Sequence, residues 1–184
     1  MTRKRLVCFV VFALVLAVGI YADGSLFILA ATGTAEEVQS VIRKRANVNA
    51  RRQDGATPLM LAALSNPNPK VLAVLIDAGA NVNARGEDGI TPLMVAAESS
   101  TPGVIELLID AGADVNPRST FYRATPLMWA AGFNPNPEVI ALLLDAGADG
   151  RAKDREGKTA FDYAKENEAL VGTDVYWRLH DAQY

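Results

Sequence analysis

The residue types that most often carry chemistry in proteins are scarce in this chain. Its 184 residues include one cysteine, Cys8, and one histidine, His180. Cys8 lies in an apolar N-terminal segment, and removal of that segment would leave no thiol for a disulfide, a metal ion or nucleophilic catalysis. His180 lies close to the C-terminus, where a single histidine is more often a surface residue than a catalytic base.

Carboxylates are the remaining candidates for acid–base chemistry or metal binding. Asp77, Asp110 and Asp145 recur at equivalent positions of a repeated sequence, whereas a catalytic pair would break such a pattern. The sequence contains no glycine-rich phosphate loop, no Cys/His metal cluster and no nucleophile-elbow motif. We therefore expect a protein that is not an enzyme and that uses no metal or cofactor.

Composition and charge restrict the class of partner. Half of the residues are hydrophobic, which is enough for a packed core. The 18 Lys and Arg residues and 21 Asp and Glu residues give a net charge of −3. Without Arg3, Lys4 and Arg5, 15 basic residues stand against 21 acidic ones, and the net charge is −6. Because nucleic-acid binding usually relies on a basic surface, the sequence does not support a nucleic-acid partner.

The first 22 residues have the pattern of a secretory signal peptide. Basic residues at positions 3–5 precede an apolar run from Leu6 to Ile20, and Ala22 supplies a small residue for cleavage. An uncleaved inner-membrane anchor is the alternative, although a membrane-spanning helix needs roughly 20 apolar residues and this run is shorter. The pattern predicts a periplasmic or secreted protein whose mature chain covers residues 23–184.

The rest of the sequence repeats with a period of 34 residues. The motif Thr-Pro-Leu-Met-x-Ala-Ala begins at Thr57, Thr91 and Thr125, and a degenerate copy begins at Thr159. A second motif, Asp-Ala-Gly-Ala, follows each of the first three copies. A fixed period of this length indicates a solenoid in which one supersecondary unit stacks on the next.

Each repeat contains signals for the start and end of its helices. A threonine before proline places an N-cap hydroxyl ahead of a residue whose missing N–H costs nothing at the first helical position. Asn68, Thr101 and Asn136, also followed by proline, start second helices in the same way, and residues 34–37 form a capping box instead. The second helices end at glycines suited to the left-handed C′ position, namely Gly79, Gly112 and Gly147.

These motifs resemble the TPLHxAA and GADVN signatures of the ankyrin repeat, over about residues 24–167. The resemblance implies an all-α solenoid of helix–turn–helix units with short β-hairpin-like loops. It implies about five units, the last with a C-terminal capping helix, near residues 23–50, 51–84, 85–117, 118–152 and 153–184. It also implies that another protein binds the concave surface formed by the loops and the first helices.

Several departures from the family pattern carry structural expectations. Met60, Met94 and Met128 replace the family's histidine, so that histidine's hydrogen bonds should be absent without a change of fold. Arg45 stands where other units have the C-cap glycine, and a left-handed backbone would be strained there. The last unit is polar where inner units are apolar, as expected at the end of a stack, and residues 168–184 are expected to contain the capping helix.

The loop that enters the fourth unit is the main candidate for a binding site. It is one residue longer than the others, lacks their Asp-Gly turn and carries two aromatic residues flanked by arginines, which is the composition of an interface hot spot. A tryptophan replaces the aliphatic residue of other units in the following helix, and a phenylalanine follows one turn later. The predicted partner-binding residues are Arg118, Phe121, Tyr122, Arg123, Trp129 and Phe133.

Alternative interpretations remain open for these residues and for a basic cluster. Phe121 could fold back over the array, and filling of the core between repeats is the preferred interpretation of Trp129. A cluster of cations in the first two units, a solvated face in its simplest interpretation, is alternatively a contact for an acidic partner or anionic lipid. This cluster comprises Arg43, Lys44, Arg45, Arg51 and Arg52.

The sequence favours a non-enzymatic scaffold or adaptor that is exported to a bacterial cell envelope and binds another protein. The first alternative is an inhibitor or immunity-type protein that blocks an exported enzyme. A membrane-tethered structural protein and a secreted effector are the others. Fold alone names no partner, since one fold serves many functions.

Overall fold

The computed structural model describes residues 24–99 and 101–184. The segment predicted to be a signal peptide lies outside these residues. Within the described ranges, no helix is long and apolar enough to cross a membrane.

Ten α-helices form five helix–turn–helix units in the described part of the chain. The first helices of the units are α1 (Gly24–Thr32), α3 (Pro58–Ser65), α5 (Pro92–Ser99), α7 (Pro126–Phe133) and α9 (Ala160–Ala164). The second helices are α2 (Ala35–Arg43), α4 (Pro69–Asp77), α6 (Pro102–Asp110), α8 (Pro137–Asp145) and α10 (Asp174–Ala182). Each first helix packs on the next first helix, and each second helix on the next second helix. The expected all-α solenoid is confirmed.

The helices begin mostly where the sequence predicts. The threonine hydroxyls at the starts of α3, α5 and α7 each accept the N–H of the methionine three residues later, at 3.3–3.4 Å. Asn68 and Asn136 cap α4 and α8 through their side chains, and Thr34 and Glu37 form the predicted capping box. Thr101 is the exception, because its side chain accepts no hydrogen bond from α6.

The helix ends and the methionines also follow the expected pattern. Gly79, Gly112 and Gly147 have φ values of 85° to 88°, the left-handed conformation that a glycine tolerates. Arg45 adopts the same conformation with φ at 68°, which strains a residue that has a Cβ atom. The three methionines at the histidine position of the repeat are buried in the array.

Asparagines at one repeat position hold each unit to the next. In Asn49, Asn83 and Asn116, the side-chain nitrogen donates to the carbonyl of the C′ glycine in the following unit, at 2.8–2.9 Å. The side-chain oxygen accepts the N–H two residues beyond that glycine, at 2.8 Å. A single amide thus satisfies both a donor and an acceptor of the neighbouring backbone.

Arginines form a second series of links. Arg51 donates to the carbonyl oxygen of Arg85 at 2.7 Å, and Arg85 donates to that of Arg118 at 3.3 Å. Arg118 donates in turn to the carbonyl of Lys153. Each residue in this series therefore binds the backbone of its own counterpart one unit later.

The stack ends where α10 packs against Gly150. Counterparts of Gly150 in the inner units are valines, at Val48, Val82 and Val115. A Cβ atom at Gly150 would lie 2.6 Å from the Cβ of Ala182 in α10, which is closer than two non-bonded carbon atoms can approach. The loss of the valine side chain therefore makes room for the last helix.

Unit five begins with a second capping box, at the start of α9. The Thr159 hydroxyl accepts the N–H of Asp162, and the Asp162 carboxylate accepts the N–H of Thr159 at 2.9 Å. Lys165 forms an ion pair with the same carboxylate at 2.9 Å. The hydrogen bond from Lys165, followed by that from the Thr159 backbone, lowers the pKa of Asp162 from 3.8 to about 2.

Restoring the valine of the inner units at Gly150 should detach α10. We expect Gly150→Val to lower the free energy of unfolding by about 1–3 kcal/mol, since the new side chain overlaps Ala182. Hydrogen exchange of residues 174–182 and the thermal unfolding midpoint provide the measurement. Gly103→Val is the control, because a Cβ at Gly103 meets nothing within 4 Å. Wild-type protection of α10 in Gly150→Val would contradict close packing of α10 on Gly150.

Acid should weaken unit five before the inner units. The pKa of Asp162 is lower in the folded chain, so its contribution to stability is present above the unfolded value of 3.8 and is lost as the pH falls towards 2. Hydrogen exchange at about pH 5 and about pH 2.5 should show loss of protection first in residues 160–182. Asp162→Asn should reduce this difference between the two pH values. Earlier loss in units two and three would show that another group controls acid stability.

Candidate functional site

The loop that enters unit four is held in a conformation that costs free energy. It closes through hydrogen bonds between Ser119 and Ala124 and between Arg123 and Ser119, both at 3.0 Å. The corresponding loops, at residues 52–56, 86–90 and 154–158, are one residue shorter and have a left-handed glycine just before their last residue. Arg123 takes that place with φ at 56°, a conformation that costs a non-glycine residue about 1 kcal/mol.

Hydrogen bonds from both neighbouring loops fix the tip of this loop. The N–H of Thr120 donates to the carbonyl of Asp88 at 2.6 Å, and the N–H of Arg155 donates to the carbonyl of Tyr122 at 2.9 Å. An equivalent bond joins Glu87 to the loop before it. The loops thus form a continuous row along one edge of the array.

The two aromatic residues at the tip stay on the surface. Phe121 is 51% exposed and Tyr122 is 58% exposed, and their rings meet edge to face with centroids 4.9 Å apart. The guanidinium of Arg155 lies 5.3 Å from the centroid of the Phe121 ring. Phe121 therefore stacks on the loop row and leaves half of its surface open to solvent.

Trp129 lies at the border between the hydrophobic core and a pocket at the surface. Its ring packs against the hydrophobic core and against Phe133, with ring centroids 5.8 Å apart, while Phe133 is 50% exposed. The indole N–H is shielded from solvent and has no hydrogen-bond acceptor among the described residues. Since an unpaired buried donor costs about 1–3 kcal/mol, and Leu61 and Val95 fill the same place without one, core packing alone does not account for the tryptophan.

An aromatic pocket lies between units four and five. Its volume is about 190 Å³, and it is lined by Tyr122, Ala124, Met128, Trp129, Phe133 and Tyr163. The structure thus brings three of the predicted residues together, Tyr122, Trp129 and Phe133, with Phe121 beside them on Tyr122. The pocket offers an apolar lining to a ligand and no arrangement of nucleophile and base.

Tyr163 is a pocket residue that the sequence analysis did not select. It stands 34 residues after Trp129, at the same repeat position, and the period is the signal that could have found it. Its hydroxyl donates to Asp154 at 2.5 Å, and the same carboxylate accepts the N–H groups of Glu156 and Lys158. Burial and then the hydrogen bond to Asp154 raise the pKa of Tyr163, so the ring is held as a neutral phenol.

The pKa of Asp154 reflects the same contacts. Burial alone would raise it, but the hydrogen bonds from the Tyr163 hydroxyl and from two backbone N–H groups outweigh that effect and lower it. The carboxylate is therefore ionised and already occupied, and Tyr163 cannot turn away from the pocket without breaking this bond.

The two arginines of the predicted site have different roles. Arg118 donates to the carbonyls of Lys153 and of Arg123, so the residue predicted to contact a partner serves as a link between units four and five. Arg123 is exposed, and its side chain makes no ion pair with any described residue. Of the six predicted residues, three line the pocket and Phe121 packs on one of them. Arg118 is a structural link, and Arg123 is an exposed cation with no ion pair among the described residues.

The N-terminal basic cluster is partly used inside the array. Arg51 belongs to the arginine series, Arg52 pairs with Asp54 at 3.3 Å, and Arg43 donates to the side chain of Gln39. Elsewhere in residues 24–99 and 101–184, no group of three His, Cys, Asp or Glu side chains is placed to hold a metal ion. The aromatic pocket remains the principal candidate surface.

Comparison with known proteins identifies the repeat. One family model for ankyrin repeats, of three copies, matches residues 26–119, and another, of many copies, matches residues 108–164. No curated protein matches the chain. Ankyrin repeats generally mediate protein–protein interaction and are typically non-enzymatic modules. The five stacked helix–turn–helix units and these two matches show that the chain belongs to the ankyrin-repeat family.

Proposed function

We propose that this protein is a non-enzymatic scaffold or adaptor that captures another protein through the loops and first helices of units four and five. The aromatic pocket carries this proposal. Three aromatic side chains in and beside it, Phe121, Tyr122 and Phe133, are each 50–58% exposed. Units two and three have serines, Ser65 and Ser99, at the repeat position of Phe133. A cluster of exposed aromatic rings beside an apolar pocket is typical of an interaction site.

The exposed rings can contribute substantially to binding. An aromatic side chain buries about 150–250 Å² when it is fully covered, so covering the exposed half of one ring contributes about 2 kcal/mol. The loop that carries Phe121 and Tyr122 is held by hydrogen bonds from both of its neighbours. Little conformational entropy is therefore lost when a partner binds to it.

Locally unfavourable features lie on the same surface. Arg123 has a left-handed backbone, and the indole N–H of Trp129 is buried without an acceptor. Glycine in place of Arg123 and an aliphatic residue in place of Trp129 would be better for stability, and units two and three have both, with Gly55 and Leu61 and with Gly89 and Val95. Features that lower stability are concentrated at functional sites, because selection for binding retains them there.

Export is a separate part of this proposal and is supported by the sequence alone. The basic residues at positions 3–5, the apolar run to Ile20 and the small residue Ala22 favour translocation and cleavage. An adaptor or an inhibitor would then act in the periplasm or outside the cell. Inhibition differs from adaptor function in one measurable respect, which is a loss of the captured partner's activity when this protein is in excess.

Replacing both tip aromatics should abolish capture and leave the fold intact. Processed protein carrying Phe121→Ala with Tyr122→Ala is compared with wild type for proteins retained from an envelope fraction, and thermal unfolding is measured in parallel. The unfolding midpoint should be nearly unchanged, since both side chains are more than half exposed. Trp177→Ala, which removes a 56% exposed aromatic residue from α10, is the matched control and should retain the partner. Unchanged capture by the double variant would refute the proposed surface.

N-terminal sequencing of the protein isolated from its own cells tests export. The first residue is expected to be Asp23, and the protein should be recovered without detergent. A chain that starts at Met1 or Thr2 and requires detergent would instead support the uncleaved anchor.

A further inference from the structure

We propose that the aromatic pocket takes one bulky apolar side chain from an acidic segment of the partner, and that carboxylates beside this side chain pair with Arg123 and Arg155. The inference rests on the proposed function and adds the chemistry of the segment that is recognised. Four observations carry it: the size of the pocket, its apolar lining, the unpaired arginines at one side and the occupied carboxylates at the other.

The pocket has room for a single side chain. Its volume is about 190 Å³, and a cavity of about 150 Å³ accommodates a benzene ring. Leucine, methionine or phenylalanine therefore fits, whereas a helix or a second strand does not. Rings and aliphatic groups form the walls, and a charged side chain inside them would lose its hydration without compensation.

Two arginines next to the Tyr122 wall have no carboxylate partner in the part of the chain that the structure describes. Arg123 directly follows Tyr122, and the backbone N–H of Arg155 donates to the Tyr122 carbonyl, which keeps both residues at the pocket edge. The Arg155 guanidinium lies over the Phe121 ring, 5.3 Å from its centroid. Neither arginine takes part in an ion pair with any residue in the described ranges. Arginine held on an aromatic ring is well oriented to bind a carboxylate.

The nearby carboxylates do not neutralise these arginines. Asp154 accepts the Tyr163 hydroxyl and two backbone N–H groups, and Glu156 forms an ion pair with Lys158 at 3.2 Å. The Nζ atom of Lys158 lies 5.7 Å from the centroid of the Tyr163 ring, which places the Glu156–Lys158 pair on the Tyr163 side of the pocket. The Tyr122 side is thus positively charged in a chain whose net charge is −3. This asymmetry favours an acidic segment over a basic one.

A set of short peptides tests this chemistry directly. The probes are capped heptapeptides, Ser-Asp-Asp-X-Asp-Asp-Ser, in which X is Phe, Leu or Ala, and the same peptides with Lys in place of Asp. The chain has two tryptophans, so a Trp177→Phe background leaves Trp129 in the pocket as the fluorescent reporter.

We expect the acidic Phe and Leu peptides to shift the Trp129 emission to shorter wavelength. The Ala peptide should bind at least about tenfold more weakly, because the buried apolar area is smaller. Lys peptides should not bind.

Charge reversal on the protein should reverse the preference. Arg123→Glu with Arg155→Glu is expected to lose the acidic peptides and to bind the Phe peptide with lysine flanks. Phe133→Ala should weaken both apolar peptides, since it removes a pocket wall. Lys70→Glu, a charge reversal at the exposed start of α4, is the control and should bind as the wild type does. Thermal unfolding of each variant checks that the array is folded.

Specific outcomes would overturn the inference. Equal binding of the Ala and Phe peptides would exclude an apolar anchor, and an unchanged charge preference in the Arg123→Glu, Arg155→Glu variant would exclude the acidic flanks. No emission change with the acidic Phe peptide up to about 1 mM would exclude the recognised segment as a whole. If the natural partner is still captured in a Phe121- and Tyr122-dependent manner, the proposed function stands without this chemistry. If that dependence is also lost, the proposed function fails.

Discussion

The stacking of each unit on the next is the constraint on which the rest of this structure depends. One pair of short helices cannot bury its apolar faces alone, and the inner alanines, which are fully or almost fully buried, allow neighbouring helices to approach closely. Asn49, Asn83 and Asn116 fix the distance and rotation between units, because each amide binds two groups of the next backbone. The same geometry, repeated, aligns the loops in a row and the first helices in a layer.

The candidate site is a consequence of this stacking. Tyr122 and Trp129 belong to unit four and Tyr163 belongs to unit five, so the pocket exists only where two units are in contact. Its two ends are held differently. A row of backbone hydrogen bonds fixes the loop, and the bond from Tyr163 to Asp154 fixes the other wall. Because hydrogen bonds hold both sides of the aromatic pocket, the pocket residues need not become ordered when a partner binds.

Local features of the array were largely predictable, because they depend on neighbours in sequence. Caps at Thr57, Thr125 and Asn68 follow from residue type and a following proline, and Thr101 shows the limit, since its hydroxyl makes no such bond. The longer loop at unit four was visible from spacing alone. Arg118, by contrast, is a residue type suited to binding, but its side chain is held between units four and five. The replacement of valine by Gly150 is explained only by the packing of α10, a contact that the sequence does not reveal.

By itself, the sequence determined the period, the helix boundaries, the left-handed turns and the presence of an unusual aromatic loop, because propensity, caps and turns act over a few residues. Only the tertiary structure decided which side chains meet across units. It placed Tyr163 in the same pocket as Trp129, made Arg118 a link between units, and left Arg123 and Arg155 without an ion-pair partner among the described residues. These outcomes depend on the rotation between stacked units, which is set by contacts more than thirty residues apart in sequence and by the burial that those contacts produce.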